Sequence, residues 1–335
     1  MKHARKEGPL VVEVKRSIFV ESAHLVDAVV VDVNGKIAAK YGACESLIFP
    51  RSAIKMIQAL SFVESGAVES FDLSDKHIAI SCASHLGETM HTKLVQEWLE
   101  KIQLQENFLE CGSHFPYDES ARNELIRKEQ VPHAIHNNCS GKHCGMLTTA
   151  LQLKESPRGY SQYDHPIQKR LRKILSELAG QNYEKIPWGV DGCSIPTYAL
   201  PLESIAKSMT ALLPGAKVSS ERAHAAARIL KSIQAEPLLI SGTKGLCSQI
   251  IKISKGRVIA KTGAEGVFTA LIPEQGLSIA LKVHDGATRA SESAIVHLLH
   301  SLGGLTEAEV LSLKITTGAI LKNWSGLAVG EIVCV

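Results

Sequence analysis

The chain has no stretch of about eighteen apolar residues, so no segment predicts a membrane-spanning helix. It also has no basic run and no basic–aromatic stripe, although 37 Lys and Arg against 34 Asp and Glu give a formal charge of +3. This pattern argues against a nucleic-acid-binding protein. The basic start, MKHARKEGPLVVEVKR, lacks a long apolar core behind it, so we expect no secretory signal and a cytoplasmic location.

No two of the eight cysteines form a Cys-x-x-Cys pair. In a chain of 335 residues without a signal peptide we expect reduced thiols rather than a disulfide framework. Most are interpreted as small packed hydrophobic residues, namely Cys44, Cys82, Cys111, Cys247 and Cys334, while Cys144 stays open. Cys139 and Cys193 differ because each lies in a polar, glycine-flanked turn. With a donor such as Lys142, His143 or Asp191, these two cysteines are able to hold zinc. The alternative is that both are reduced cysteines packed as small hydrophobic residues.

Strand-like segments occupy both ends of the chain, and helical segments lie between them. Asn34-Gly35 between two β-branched runs predicts a two-residue hairpin. Residues 76–81 (KHIAIS) are predicted as a short buried strand, and the stretch 247–286 as a series of strands. We therefore predict one α/β domain over residues 1–335, with a sheet built from both chain ends and a largely helical lobe, at about 90–240, inserted between them.

Ser52 and Lys55 lie at a predicted helix start, in IFPRSAIKMIQAL (48–60). At positions i and i+3 they share a helix face, and a neutral lysine there is able to take the serine proton. The alternative is a capped helix with a solvated lysine. The spacing alone does not decide, because Ser204/Lys207 and Ser241/Lys244 repeat it.

Two further segments support a hydrolytic site. Lys261-Thr262-Gly263 lies on a predicted strand. Together with Ser52 and Lys55 it matches two elements of the pattern of penicillin-recognising serine hydrolases. The third element of that pattern, Ser-x-Asn, is absent from the chain, which argues against a true β-lactamase. In CASHLGE (82–88), Ser84 offers a second hydroxyl. His85 and Glu88 either orient this hydroxyl or are solvated side chains without a role. In HDGATRA (284–290), Asp285-Gly286 either closes a site or turns the chain.

Together these segments resemble one family. PRSAIK, CASHLGE, NNCSGKHCGM, DGCSIPTYALPL, KTGAEGV and HDGATRA follow one another in the order found in the Rhizobium-type, or class 3, thermolabile type II bacterial L-asparaginases. The resemblance runs from about residue 11 to residue 330. It implies a fold similar to serine β-lactamases and serine glutaminases, and hydrolysis of L-asparagine to L-aspartate and ammonia by a homodimer.

The resemblance also implies roles for individual residues. Ser52 with Lys55 matches one Ser–Lys tandem, and Ser84 with Lys261 matches a second. Cys139, Lys142 and Cys193 match a zinc site, whose ion would orient the substrate. The candidate substrate-binding residues are Arg51, Asp191, Gly263 and Glu265. Leu86, Cys144 and Thr262 depart from the family pattern without removing a catalytic group.

We favour Ser52 as the nucleophile because it begins a helix, where backbone N–H groups are able to stabilise an oxyanion. Two other functions stay open at the level of sequence. One is a different serine amidohydrolase, such as a glutaminase or penicillin-type hydrolase. The other is a zinc-stabilised binding protein without catalysis.

Overall fold

The computed structural model describes residues 8–182, 185–316 and 319–335, with the side chains of 315 and 316 excepted. The first seven residues, on which the signal-peptide prediction partly depends, lie outside this range. The chain forms two compact units. The first contains the residues up to Ile54, Ala199–Lys217 and Gln249–Val335; the second contains Lys55–Tyr198 and Val218–Ser248. The prediction of one domain stays a prediction, and each unit is described by itself.

The strands are numbered in chain order: β1 Leu10–Arg16, β2 Phe19–Asp32, β3 Ile37–Tyr41, β4 Leu47–Ile48, β5 Trp188–Val190, β6 Pro196–Tyr198, β7 Leu200–Pro201, β8 Ile259–Thr262, β9 Val267–Ile272, β10 Leu277–Val283, β11 Ile320–Lys322 and β12 Ala328–Cys334. The helices are α1 Lys55–Glu64, α2 Ala67–Ser70, α3 Asp75–Ser81, α4 Thr89–Lys101, α5 Glu119–Arg127, α6 Ser140–Gln152, α7 Pro166–Ala179, α8 Leu202–Met209, α9 Ser220–Ala235, α10 Leu238–Ser241, α11 Leu246–Ile253, α12 Thr288–Ser301 and α13 Glu307–Thr316.

The first unit is built on an antiparallel sheet in the order β11-β12-β1-β2-β10-β9-β8, with β3 also paired to β2. Residues from both ends of the chain meet in it, since Val14 on β1 pairs with Ile332 on β12. β2 and β10 join the two halves, with Val29 opposite Ala280. All six residues of β9 are buried, as expected for a central apolar strand. The predicted sheet from both chain ends is confirmed.

The hairpin at Asn34-Gly35 forms, but its loop has a different length from the predicted one. β2 ends at Asp32 and β3 begins at Ile37, so four residues rather than two connect them. The Asp32 carboxylate accepts the N–H groups of Asn34 at 2.9 Å and Lys36 at 3.0 Å. An aspartate that binds the following backbone in this way holds a wider turn than the two-residue type.

The second unit is mostly helical and contains α1 to α7, α9, α10 and the short β5–β6 hairpin. Its interior is formed by apolar faces of α1, α3 and α6, with Trp98 of α4 fully buried. Gly141 of α6 lies so close to α3 that an added Cβ would be 2.3 Å from the Ile80 carbonyl oxygen. Only glycine permits this approach of the two helices.

Two strand predictions are wrong, the second of them only at its start. KHIAIS lies in α3, because the Ser74 N–H donates to His77 Nδ1 at 3.0 Å and so begins a helix. Residues 247–253 lie in α11, where Leu246, Cys247, Ile250 and Ile251 are buried at helical spacing. The chain end begins with α13 before its two strands. Short apolar runs fit a buried strand and a buried helix equally well.

Among the described residues, no helix is both long and apolar enough to cross a bilayer.

Candidate active site

Ser52 lies in a 3-10 turn, Arg51–Ile54, that leads directly into α1. The predicted helix start is therefore confirmed, with a tighter first turn. Arg51 has φ of 51°, in the left-handed region that non-glycine residues seldom adopt. The Ala53 N–H donates to the Pro50 carbonyl at 3.0 Å and closes the turn around Ser52. Backbone geometry of this uncommon kind is frequently found at functional sites.

The sheet of the first unit supports this turn. The Thr269 hydroxyl on β9 donates to the Ala53 carbonyl at 2.8 Å. An added Cβ at Gly263, just after β8, would be 2.7 Å from the Pro50 carbonyl oxygen. A side chain at 263 is therefore excluded. Lys261 on β8 is 1% exposed, and its Nζ donates to the Thr262 carbonyl at 2.8 Å.

The loop after Gly263 packs on the turn at Asp285-Gly286. Glu265 has φ of 59°, and an added Cβ at Gly286 would be 2.7 Å from Glu265 Oε2. Asp285 Oδ2 lies 2.6 Å from His24 Nδ1, and its Oδ1 accepts the Ala287 N–H at 3.0 Å. These contacts fix the entry to α12. They give Asp285 a structural role in the turn.

In the second unit, Lys55 is the first residue of α1 and its side chain is completely buried. Its Nζ donates to the Ala83 carbonyl and to Ser84 Oγ, the latter at 3.1 Å. No carboxylate among the described residues forms an ion pair with it. The alternative of a solvated lysine is excluded by this burial.

Ser84 follows α3, and the loop that carries it is held by backbone bonds. The Ser84 N–H donates to the Ile240 carbonyl at 2.9 Å, and the His85 N–H to the Asn138 carbonyl at 3.2 Å. His85 is buried rather than solvated. Glu88 instead accepts the Thr243 N–H at 2.7 Å. The hydroxyl of Ser84 is thus placed by a fixed loop against a buried amine.

Cys139, Lys142 and Cys193 form a second polar cluster in the second unit, and each is 4% exposed. Lys142 Nζ lies 2.9 Å from Cys193 Sγ, and the Cys139 thiol is hydrogen-bonded to the same sulfur. Cys139 precedes α6 and its N–H donates to Asn137 Oδ1 at 2.8 Å. Cys193 sits in the tight β5–β6 turn. The sequence thus brings together residues that are more than fifty positions apart.

The cluster separates charge between its members. The hydrogen bond from Cys139 and the Lys142 ammonium hold the pKa of Cys193 well below its usual value, although burial opposes this. That same hydrogen bond, with burial, raises the pKa of Cys139 to about 12. Burial lowers the pKa of Lys142, but the cysteine sulfurs and the Asp191 carboxylate outweigh it and raise it. These directions favour a thiol at Cys139, a thiolate at Cys193 and an ammonium at Lys142.

These donors fit the zinc ion that the resemblance implies. Two sulfurs and one nitrogen already touch, and such ligands suit zinc. Binding would have to remove the protons of Cys139 and Lys142, so occupancy should fall as the pH falls. Among the described residues, no three His, Cys, Asp or Glu side chains form a further cluster of this kind. Zinc at Cys139, Lys142 and Cys193 stays a prediction.

Two of the three departures from the family pattern, Leu86 and Cys144, lie in the second unit, and Thr262 lies in the first. Cys144 is fully buried, and burial raises the pKa of its thiol far above its usual value. The Leu86 carbonyl accepts the Asp118 N–H at 2.9 Å. All eight cysteines are buried and none is in a disulfide, as the sequence predicted. A cavity of about 260 Å³ beside α12 and α13 is lined by none of the predicted site residues.

Sequence reasoning missed Ser140 and Tyr160, which bond His85 and His143. Ser140 accepts from His85 at 2.8 Å, and the Tyr160 hydroxyl lies 2.7 Å from His143 Nδ1. Nothing in the spacing indicated these pairs, since each joins segments that are distant along the chain. NNCSGKH did contain two of these residues, and its polar composition was the available signal.

Matches among solved structures include β-lactamases and D-alanine carboxypeptidases of low sequence identity. The D-alanine carboxypeptidase AmpC from Burkholderia cenocepacia is 12% identical, with a TM-score of 0.42 over 84% of this chain and 93% of that chain. A class C β-lactamase is 12% identical, with a TM-score of 0.42 over 86% and 92%. The β-lactamase/D-alanine carboxypeptidase from Pseudomonas syringae is 10% identical, with a TM-score of 0.40 over 89% and 94%. No curated protein matches the chain.

The model of one protein family, described as L-asparaginase II, matches residues 12–334. The chain belongs to this family. The resemblance of the sequence motifs is thereby confirmed, and the protein is an amidohydrolase of the asparaginase type.

Proposed function

We propose that the protein hydrolyses L-asparagine to L-aspartate and ammonia through a serine nucleophile that is activated by lysine. The observation that carries the proposal is the hydrogen bond from the buried Lys55 Nζ to Ser84 Oγ, at 3.1 Å. A buried amine bonded to a serine hydroxyl is able to supply the base that a serine nucleophile needs.

Ser52 attacks the carbon of the substrate's side-chain amide. A bond forms between its Oγ and that carbon, and the hydroxyl proton passes to Lys55, either directly or through Ser84 Oγ. Backbone N–H groups at the helix start stabilise the oxyanion. The lysine then donates its proton to the leaving nitrogen, which departs as ammonia. Water hydrolyses the resulting ester and releases L-aspartate.

The surroundings of Lys55 suit this role. Its described partners are a carbonyl and a hydroxyl, which accept hydrogen bonds without adding a negative charge. Lys261, assigned with Ser84 to a second tandem, is also buried.

The substrate's α-amino and α-carboxylate groups require charged partners. We assign Asp191 to the ammonium and Arg51 to the carboxylate, with Gly263 and Glu265 as further contacts. Zinc held by Cys139, Lys142 and Cys193 would supply a Lewis-acid contact that orients the substrate. Without the ion, Lys142 donates to the Cys193 sulfur at 2.9 Å. Assembly as a homodimer and a cytoplasmic location stay predictions.

The test is ammonia release from L-asparagine, L-glutamine and a control without substrate, with and without a chelator. We expect release from L-asparagine, its loss in Ser52→Ala, and no comparable loss in Ser241→Ala. Ser241 is a matched control, since it also precedes a lysine by three residues, but its hydroxyl is bonded to Ser248 at 3.0 Å. Turnover of glutamine alone, or of neither amide, would refute the proposed substrate.

A further inference from the structure

His85 lies beside Ser84 and is completely buried in the second unit. Its ring makes two hydrogen bonds, and the direction of the first fixes that of the second. The Gly87 N–H donates to Nδ1 at 3.2 Å, so Nδ1 carries no proton and the proton of the neutral ring lies on Nε2. Nε2–H therefore donates to Ser140 Oγ at 2.8 Å.

Ser140 confirms this direction independently. Its hydroxyl proton is already donated to the Ile135 carbonyl at 3.1 Å, so its oxygen is free to accept. Burial keeps the pKa of His85 well below its usual value. The imidazole is neutral, and a single tautomer satisfies both partners.

The two partners of His85 belong to different parts of the candidate site. Ser140 is the first residue of α6, directly after Cys139 and two residues before Lys142. On the other side, the loop of residues 83–87 carries Ser84, whose hydroxyl accepts from Lys55. The backbone adds a parallel bond, from the His85 N–H to the Asn138 carbonyl at 3.2 Å.

We propose that His85 is a positioning residue, which fixes the Ser84 hydroxyl relative to the Cys139–Lys142–Cys193 cluster by joining the Ser84 loop to the first turn of α6. The inference rests on the proposed function, because it gives Ser84 a part in proton transfer. Small displacements of a reacting group lower rates strongly, about 100-fold for 1 Å. Loss of the bond to Ser140 should thus lower kcat more than it raises KM.

Two substitutions separate the two bonds of the ring. In His85→Gln the side-chain amide nitrogen reaches the place of Nε2 and keeps a donor for Ser140. In His85→Asn the side-chain oxygen takes the place of Nδ1 and keeps the acceptor for Gly87, but the donor is lost. His91→Asn is the control for packing. His91 is equally buried and stacks on His85 at 4.8 Å, but its Nε2 bonds the Leu238 carbonyl.

The experiment measures kcat and KM for ammonia release, the rate of serine labelling by a fluorophosphonate, and the thermal midpoint. We expect His85→Asn and Ser140→Ala each to lower kcat and the labelling rate about 10- to 100-fold, and the double variant to be no worse than either. His85→Gln should stay within about threefold of wild type. His91→Asn should lower the midpoint comparably and keep its rates.

Two results overturn the inference: rates in His85→Asn no lower than in His91→Asn at equal midpoints, or losses that multiply in the double variant. If the wild type releases no ammonia from L-asparagine, the proposed function fails and the labelling rates alone decide the inference. A wild type that neither turns over asparagine nor takes up the label has no activated serine, which overturns both.

Discussion

Three lysines follow a serine by three positions, and their surroundings differ completely. Lys55 is fully buried and bonded to the Ala83 carbonyl and the Ser84 hydroxyl. The Lys207 side chain is 36% exposed and lies 3.6 Å from Glu203, while that of Lys244 is 72% exposed and lies 3.8 Å from Asp118.

The difference shows that surroundings, and not spacing, select a catalytic pair. A carboxylate partner and water both favour an ammonium, which is unable to accept a proton. Uncharged oxygens in a buried site do not stabilise an ammonium as a carboxylate or water does. Lys142, which does not follow a serine by three positions, is also buried, but the adjacent cysteine sulfurs raise its pKa. Burial of a lysine is therefore insufficient without the right partners.

The largest effect is expected at Lys55. Lys55→Met removes the proposed base and should lower kcat for L-asparagine about 100- to 10,000-fold, whereas Lys207→Met and Lys244→Met should stay within about twofold. Ammonia release under saturating substrate measures this, with circular dichroism to check folding. A folded Lys55→Met protein with more than a tenth of wild-type kcat would contradict the comparison.

The next effect concerns the partners of Lys142. Cys193→Ala leaves a buried ammonium without its nearest counter-charge, so unfolding free energy should fall by about 3–5 kcal/mol. Cys44→Ala is the control: its thiol is buried but its partners are uncharged, the Ala28 carbonyl at 3.2 Å and the Tyr41 carbonyl at 3.4 Å, and about 1 kcal/mol is expected. Urea unfolding with a chelator present compares them. Equal losses would show that Lys142 is not charged.

A half-buried carboxyl extends the comparison to acids. Among the described residues, Glu292 on α12 has no hydrogen bond or ion pair, and burial raises its pKa from 4.5 to about 7. Between these values the unfolded chain loses this proton and the folded chain keeps it. Stability should thus fall as pH rises through this window, by up to about 3 kcal/mol.

Glu292→Gln should remove that loss. The variant is expected to be more stable than wild type at pH 8 and equal to it at pH 4, as measured by urea unfolding at both values. Glu203→Gln is the control, since Glu203 has Lys207 as its partner, and changes of about 0.5 kcal/mol or less are expected. Destabilisation by Glu292→Gln at pH 8 would mean that the carboxyl is ionised and paired.

The smallest effect is expected at the exposed pair. Lys244→Met removes an ion pair that is mostly in water, so unfolding free energy should change by less than about 1 kcal/mol. Thermal unfolding at low and high salt measures it. A larger change, or a strong dependence on salt, would show that this lysine is more than a solvated side chain.

The sequence predicted the parts of the fold whose signals are local. The helix start at Ser52 and the strands β9 and β10 each have their pattern within a single window. KHIAIS and the start of the 247–286 stretch failed because short runs rich in isoleucine are ambiguous. KHIAIS is helical because Ser74 begins the helix, and residues 247–253 are helical because one face of their helix is buried.

The candidate site could be predicted from the sequence only in part. Cys139 and Cys193 were paired through resemblance, and the structure places them in contact. The Lys55–Ser84 bond joins residues 29 positions apart, and the His85–Ser140 bond joins residues 55 positions apart. No pattern in a window reveals such contacts, because they follow from how helices pack. His85 had been weighed as an orienting or a solvated residue, and its burial decides between the two.

The most direct test of the account is the identity of the serine that becomes acylated. Wild type, Ser52→Ala and Ser84→Ala would each be treated with an electrophilic asparagine analogue and weighed intact by mass spectrometry. The account predicts an adduct in wild type, a slower one in Ser84→Ala and none in Ser52→Ala. An adduct that persists in Ser52→Ala and vanishes in Ser84→Ala would contradict it.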